Sequence, residues 1–198
     1  MKRISALLLS AVLLFAVCSA TSCGNASVSG KYTVEMALRG YDGVVTIELD
    51  ADEAPLTVEN FINLVKEGHY DGMAIVRAQV GFVIQSNSGT GVKPLKGEFR
   101  SNNVDNNLKH KRGTISMARS NDKNSATDAF FICLDDSTAS SLDGDYAGFG
   151  NVVSGMEIID ALVKDIKLSM YYPDSYYGGY MGFLQEQYYP IIEYIRVK

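Results

Sequence analysis

Hydrophobic and polar positions alternate in short runs along most of this chain, and the period changes at only a few places. Tyr32–Leu38 and Val44–Leu49 alternate with period two and are joined by Arg39-Gly40-Tyr41-Asp42-Gly43, which predicts a β-hairpin. At Pro55 the period lengthens: Val58, Phe61, Ile62 and Val65 recur at helical spacing, proline suits the first helical position, and Gly68 stops the run. Ala74–Ala78, Gly81–Gln85, Gly113–Met117 and Ala129–Leu134 are short apolar runs between Gly- and Asn-rich connections, the pattern of an all-β barrel or sandwich. A second helix is predicted to start at Ser154, with Glu157 completing a capping box and Ile158, Ile159, Leu162 and Val163 on one face. Ile191–Val197 closes the chain as a strand. The fold class is therefore mainly β with two helices. Between the second helix and this last strand, Met170–Tyr189 fits neither period, yet holds seven of the twelve tyrosines.

The N-terminus is of another kind. Met1-Lys2-Arg3 is basic, and Ala6–Val17 is apolar except for Ser10. That run is too short to cross a bilayer, for which about 20 residues are needed, and it fits a secretion signal. Ala20-Thr21-Ser22-Cys23 resembles a bacterial lipobox, so residues 1–22 are expected to be a lipoprotein signal, with Cys23 the lipidated residue and residues 23–30 a flexible tether. An ordinary cleaved signal with Cys23 incidental is the competing reading. Either way, the protein is expected to be exported, and by the first reading it is held in the cell envelope with its membrane contact through the lipid alone. Only Cys133 then remains in the domain, so no intramolecular disulfide is available. Residues 1–22 contain Lys2 and Arg3 but no acid, so their removal shifts the formal charge from −5 to −7. A domain this acidic is a poor partner for nucleic acid. Asp135, Asp136, Asp143 and Asp145 fit no 12-residue calcium loop and read as a solvated acidic loop. His69 and His110 lie in turn-like contexts and are too few for a His-rich metal site.

Blocks of residues along the chain resemble the cyclophilins in order and spacing. They are Ala54–Phe61 with Gly68–Gly72, Arg77 followed by Gly81–Gln85, Lys109–Ala118, Phe130-Phe131-Ile132, Leu142-Asp143-Gly144, and Phe149–Met156. The resemblance runs from about Tyr32 to Leu162, with a Tyr-rich insertion at about 170–189 inside a domain spanning 31–198. It implies a closed eight-stranded antiparallel barrel capped by two helices, no cofactor or metal, a monomer, and peptidyl-prolyl cis/trans isomerase activity on proline-containing polypeptides. By the same resemblance Arg77 and Gln85 are the catalytic residues, and Phe82, Val83, Ala118, Arg119, Phe131, Leu142 and Tyr146 bind substrate.

An X–Pro bond rotates slowly because amide resonance opposes it, with a barrier of about 18–20 kcal/mol. At the twisted transition state the proline nitrogen gains a lone pair, which a fixed donor such as an arginine can stabilise selectively. The chain departs from the family where Val76 replaces a common histidine, Ser86-Asn87 a glycine pair, Arg119 an asparagine, Ala129 a glutamine, Ser141 a tryptophan and Tyr146 a histidine. These changes raise two alternatives: a peptide-binding module with weak turnover, or an envelope scaffold. Retention of Arg77 with Phe82, Gln85 and Phe131 argues against a pure scaffold. The Tyr-rich segment reads as a packed surface loop, or alternatively as a docking surface.

Overall fold

The computed structural model describes residues 28–174 and 181–198, so the lipobox with Cys23 lies outside the described residues. The strands are β1 (Lys31–Leu38), β2 (Val45–Asp50), β3 (Ile75–Gln79), β4 (Val83–Ser86), β5 (Thr114–Met117), β6 (Phe130–Cys133), β7 (Gly148–Ser154) and β8 (Ile192–Val197). The helices are α1 (Pro55–Lys66) and α2 (Met156–Asp165). One antiparallel sheet runs in the order β3-β4-β6-β5-β7-β2-β1-β8. Along β1 and β2 the alternation buries Val34, Met36 and Leu38 against Val45, Ile47 and Leu49. The curled sheet wraps these residues round an aromatic cluster in which the Phe61 ring of α1 lies 4.9 Å from Tyr70, 5.8 Å from Phe130 and 5.2 Å from Phe149. Offset and edge-on aromatic pairs of this kind add to simple burial.

The expected antiparallel architecture is present, but its closure differs. β3 and β8 are not paired as strands; the sheet is an open half-barrel. Its gap is spanned by the isolated bridge Ala74–Ile191 and by Ile75 N donating to the Pro190 carbonyl at 2.8 Å. The chain ahead of β8 therefore takes the place beside β3 that a closed barrel would give to the strand itself.

Helix α1 begins at Pro55 as expected, yet its N-cap, Ala54, offers no side-chain acceptor. Buried Glu98 supplies one from a distant loop, accepting from Leu56 N at 3.0 Å and from Thr57 N and Oγ1 at 2.7 Å each. A carboxylate is favoured there by the helix dipole and satisfies orphan N–H groups. The expected capping box at Ser154 is not formed. Ser154 belongs to β7, and Gly155 caps α2 with φ +84°, so close to β2 that a Cβ would sit 2.4 Å from the Val44 carbonyl oxygen. A serine side chain has no room at that position.

Candidate active site

A half-exposed sheet normally buries one face. Strand β6 buries both: Phe130 and Ile132 enter the main core, while Phe131 and Cys133 join a second cluster on the outer surface with Val83 and Leu142. Phe82, Ala118 and Tyr146 pack around it. These side chains line a cavity of about 280 Å³ with Arg77, Gln85, Arg119, Met181 and Phe183. All nine residues expected at the active site by resemblance thus meet at one cavity, joined by Met181 and Phe183, which the sequence reading did not single out.

Arg77 reaches this cavity through a β-bulge. Ile75 pairs with Ser86 and Arg77 with Gln85, so Val76 is an extra residue in β3. Ile75 and Ala78 are buried in the core, while Val76 and Arg77 both face outward. Bulges re-aim side chains in this way next to functional sites.

The guanidinium is then held on three sides. Its Nε donates to the Met181 carbonyl oxygen at 2.5 Å, one Nη to Gln79 Oε1 at 2.5 Å and the other to Gln85 Oε1 at 3.4 Å. It also lies over the rings of Phe82 (5.3 Å) and Phe183 (5.7 Å). Arginine has five N–H donors, so two have no acceptor among the described residues. Burial lowers the guanidinium pKa from its ordinary value, with Tyr146 opposing the shift. The group remains a cation at neutral pH. Gln85 acts here on Arg77.

The Met170–Tyr189 segment is responsible for part of this arrangement. Ala78 N donates to the Gly182 carbonyl at 2.8 Å and Leu184 N to the Val76 carbonyl at 3.0 Å, laying residues 182–184 along the free edge of β3. No period in the sequence marked Gly182-Phe183-Leu184, although Leu184 is fully buried. The described part of the segment is thus neither a detached loop nor a simple surface patch.

Two departures from the family prove to be one feature. The Arg119 guanidinium lies over the Tyr146 ring at 4.6 Å and over Phe99 at 5.3 Å, and its Nε donates to the Asp145 carbonyl at 2.9 Å. Tyr146 in turn meets Phe131 edge-on at 5.7 Å. Arg119 thus closes one wall of the cavity. Ala129 lines an adjoining groove of about 390 Å³ with Arg119, Ser120, Ser125 and Thr127.

The acidic loop is not uniformly solvated. Asp143 accepts from His110 N at 2.9 Å, pairs with His110 Nδ1 at 3.0 Å and with Lys109 at 3.2 Å. His110, 1% exposed, meets Ser116 Oγ at 3.0 Å through Nε2 and stacks on Phe131 at 6.1 Å. This Asp–His–Ser chain has no room for a substrate, because Ser116 is fully buried; it buttresses the pocket floor. Burial lowers the His110 pKa, and the bond to Asp143 offsets it in part. His69 lies in a turn, as expected, and contacts Asp128 at 2.7 Å. Among the described residues no group of three His, Cys, Asp or Glu is placed to hold a metal.

The site thus sets a fixed arginine beside an apolar cluster on the outer face of an open antiparallel half-barrel. The family model for cyclophilin type peptidyl-prolyl cis-trans isomerase/CLD matches residues 33–173. The chain is 39% identical over 133 residues to a peptidyl-prolyl cis-trans isomerase of Streptomyces antibioticus, covering 63% of this chain and 80% of that one. It is 33% identical over 148 residues to one from Helicobacter pylori, covering 72% and 89%. A crystal structure of a Cryptosporidium parvum cyclophilin type isomerase superimposes with TM-score 0.67 at 22% identity, over 85% of this chain and 98% of that one. The chain belongs to the cyclophilin-type peptidyl-prolyl cis-trans isomerase family. The matched segment ends at Pro173, so most of the insertion lies beyond it.

Proposed function

We propose that this chain catalyses cis/trans isomerisation of X–Pro bonds in exported polypeptides, with Arg77 as the donor to the twisted proline nitrogen. The observation that carries this reading is the state of Arg77: three contacts hold it beside a cavity walled by Phe82, Val83, Phe131 and Leu142, while two of its N–H groups have no acceptor among the described residues. A donor already oriented needs no reorganisation at the transition state. The proline ring packs on Phe131, Leu142 and Val83, and Phe82 lies across the Arg77 guanidinium. A Cryptosporidium parvum cyclophilin type isomerase was crystallised in the presence of the dipeptide Ala-Pro, which makes an Ala-Pro peptide a fitting probe here. The test is a protease-coupled isomerisation assay on an Ala-Pro peptide with the native chain and Arg77→Ala. Acceleration that collapses in the variant supports the reading; acceleration that survives removes Arg77 from it.

A peptide-binding role with little turnover is the second reading, favoured by Arg119 lying across Tyr146 and narrowing one wall. Peptide binding without acceleration is the outcome that selects it. The lipobox supports a lipid-anchored location in the cell envelope and an action on proteins passing nearby. Labelled fatty acid entering the native chain but not Cys23→Ser supports that location, and equal labelling contradicts it.

A further inference from the structure

Phe183 has a cavity on each side. Toward Arg77 it lines the proline pocket; behind it lies a second cavity of about 500 Å³, lined among the described residues by Val76, Asn87, Tyr172, Asp174, Phe183 and Tyr189. Three of these six residues, Asp174, Phe183 and Tyr189, lie beyond the part of the chain that matches the family. The walls are fixed by backbone bonding. Tyr172 N donates to the Phe183 carbonyl at 3.1 Å, Tyr171 bridges to Leu184, and Tyr171 Oη donates to the Ala78 carbonyl at 2.9 Å. The Tyr189 hydroxyl is hydrogen-bonded with Tyr172 and lies near the Glu186 carboxylate.

The chemistry of the wall selects its occupant. Tyr172, Phe183 and Tyr189 line the cavity with aromatic side chains, which attract a cation and the methylenes that carry it more strongly where water is displaced. Among the described residues of the wall Asp174 carries a charge, and Glu186 adds a second negative charge beside Tyr189. Arg77 and Arg119 line the other cavity. Val76, Asn87 and Phe183 also line the groove that leads past Ala118 and Arg119, so a chain lying in that groove passes the mouth of this cavity.

We propose that the cavity behind Phe183 is a subsite for a lysine or arginine side chain of the same polypeptide whose proline reaches Arg77. The inference rests on the groove reading above and adds a sequence preference to it: a basic residue close to the proline.

The test walks lysine, norleucine or glutamate through the two positions on each side of an Ala-Pro core in otherwise alanine peptides. Affinity is measured by calorimetry and turnover by the coupled assay, with the native chain and with Asp174→Asn and Tyr172→Leu. At one position lysine is expected to bind about fivefold more tightly than norleucine, and glutamate more weakly than either. The advantage should fall to within twofold in both variants, while the all-alanine peptide is handled as by the native chain. Lysine and norleucine binding equally at every position overturns the subsite, as does a lysine advantage that survives Asp174→Asn. Absence of turnover with the lysine preference intact in affinity counts against isomerisation and leaves the subsite standing, so the two failures are distinguishable.

Discussion

Gly182→Ala tests whether the insertion supports catalysis, without altering any group that touches substrate. Gly182 has φ +75°, and a Cβ there would lie 2.8 Å from both Cα and Cβ of Gln79 and 2.9 Å from its nitrogen. The left-handed conformation alone costs an alanine about 1–2 kcal/mol. The clash is with β3 backbone, so the segment must lift. Lifting breaks the bond from Ala78 N to the Gly182 carbonyl, at about 1 kcal/mol, and withdraws the Met181 carbonyl from Arg77. Arg77 keeps Gln79 and Gln85 but loses its shortest backbone contact and the Phe183 ring. A charge-assisted bond contributes about 1.5–3 kcal/mol, part of which water recovers in this open site. A net loss of about 1.4 kcal/mol corresponds to a tenfold fall in kcat/KM. The assay is coupled isomerisation, with thermal unfolding and limited proteolysis between residues 168 and 190 reporting the lifting. A variant whose segment is cleaved more readily but whose kcat/KM stays within twofold of native refutes the reasoning.

The remaining predictions concern the pocket floor and wall. Burial holds the folded-state pKa of His110 below its ordinary 6.5, so the fold favours the neutral ring. Its contribution is complete above pH 6.5 and declines as pH falls below that value. Asp143, despite burial, is held below 3.8 by His110 and Lys109, so its contribution is lost only as pH falls below about 4. Urea midpoints at pH 7.5 and 5.5 should differ in the native chain and converge in His110→Gln; equal native midpoints contradict the assignment. A double-mutant cycle over Arg119→Ala and Tyr146→Leu should give a coupling of about 0.5–1 kcal/mol in peptide affinity, and simple additivity would show the stacked pair to be incidental.

The hairpin, both helices and the short strands were legible because each follows a local period, and the groove residues because their blocks resemble the family. What was not legible is set by contacts distant in sequence. Glu98 caps α1 from 41 residues beyond Thr57, which no pattern around Pro55 signals. Ser154 satisfies the local rule for a helix start, yet β7 pairing to Thr46 claims it and the close approach of Gly155 to Val44 sets the cap. The open sheet has the same origin: residues 182–191 compete for the edge of β3, and a tyrosine-rich run without a clear period does not announce an edge-strand role. Met181 entered the site through its backbone carbonyl, which side-chain chemistry cannot foretell.

The central claim is that Arg77 stabilises the twisted bond rather than the bound peptide. Exchange NMR on an Ala-Pro peptide gives the cis/trans rate on the protein, and titration in the same samples gives the dissociation constant. For Arg77→Ala the account predicts a fall of about 100-fold or more in the exchange rate, with the dissociation constant within a few-fold of native. A dissociation constant raised in proportion, with the rate on the bound peptide unchanged, would contradict it and make Arg77 a binding residue only.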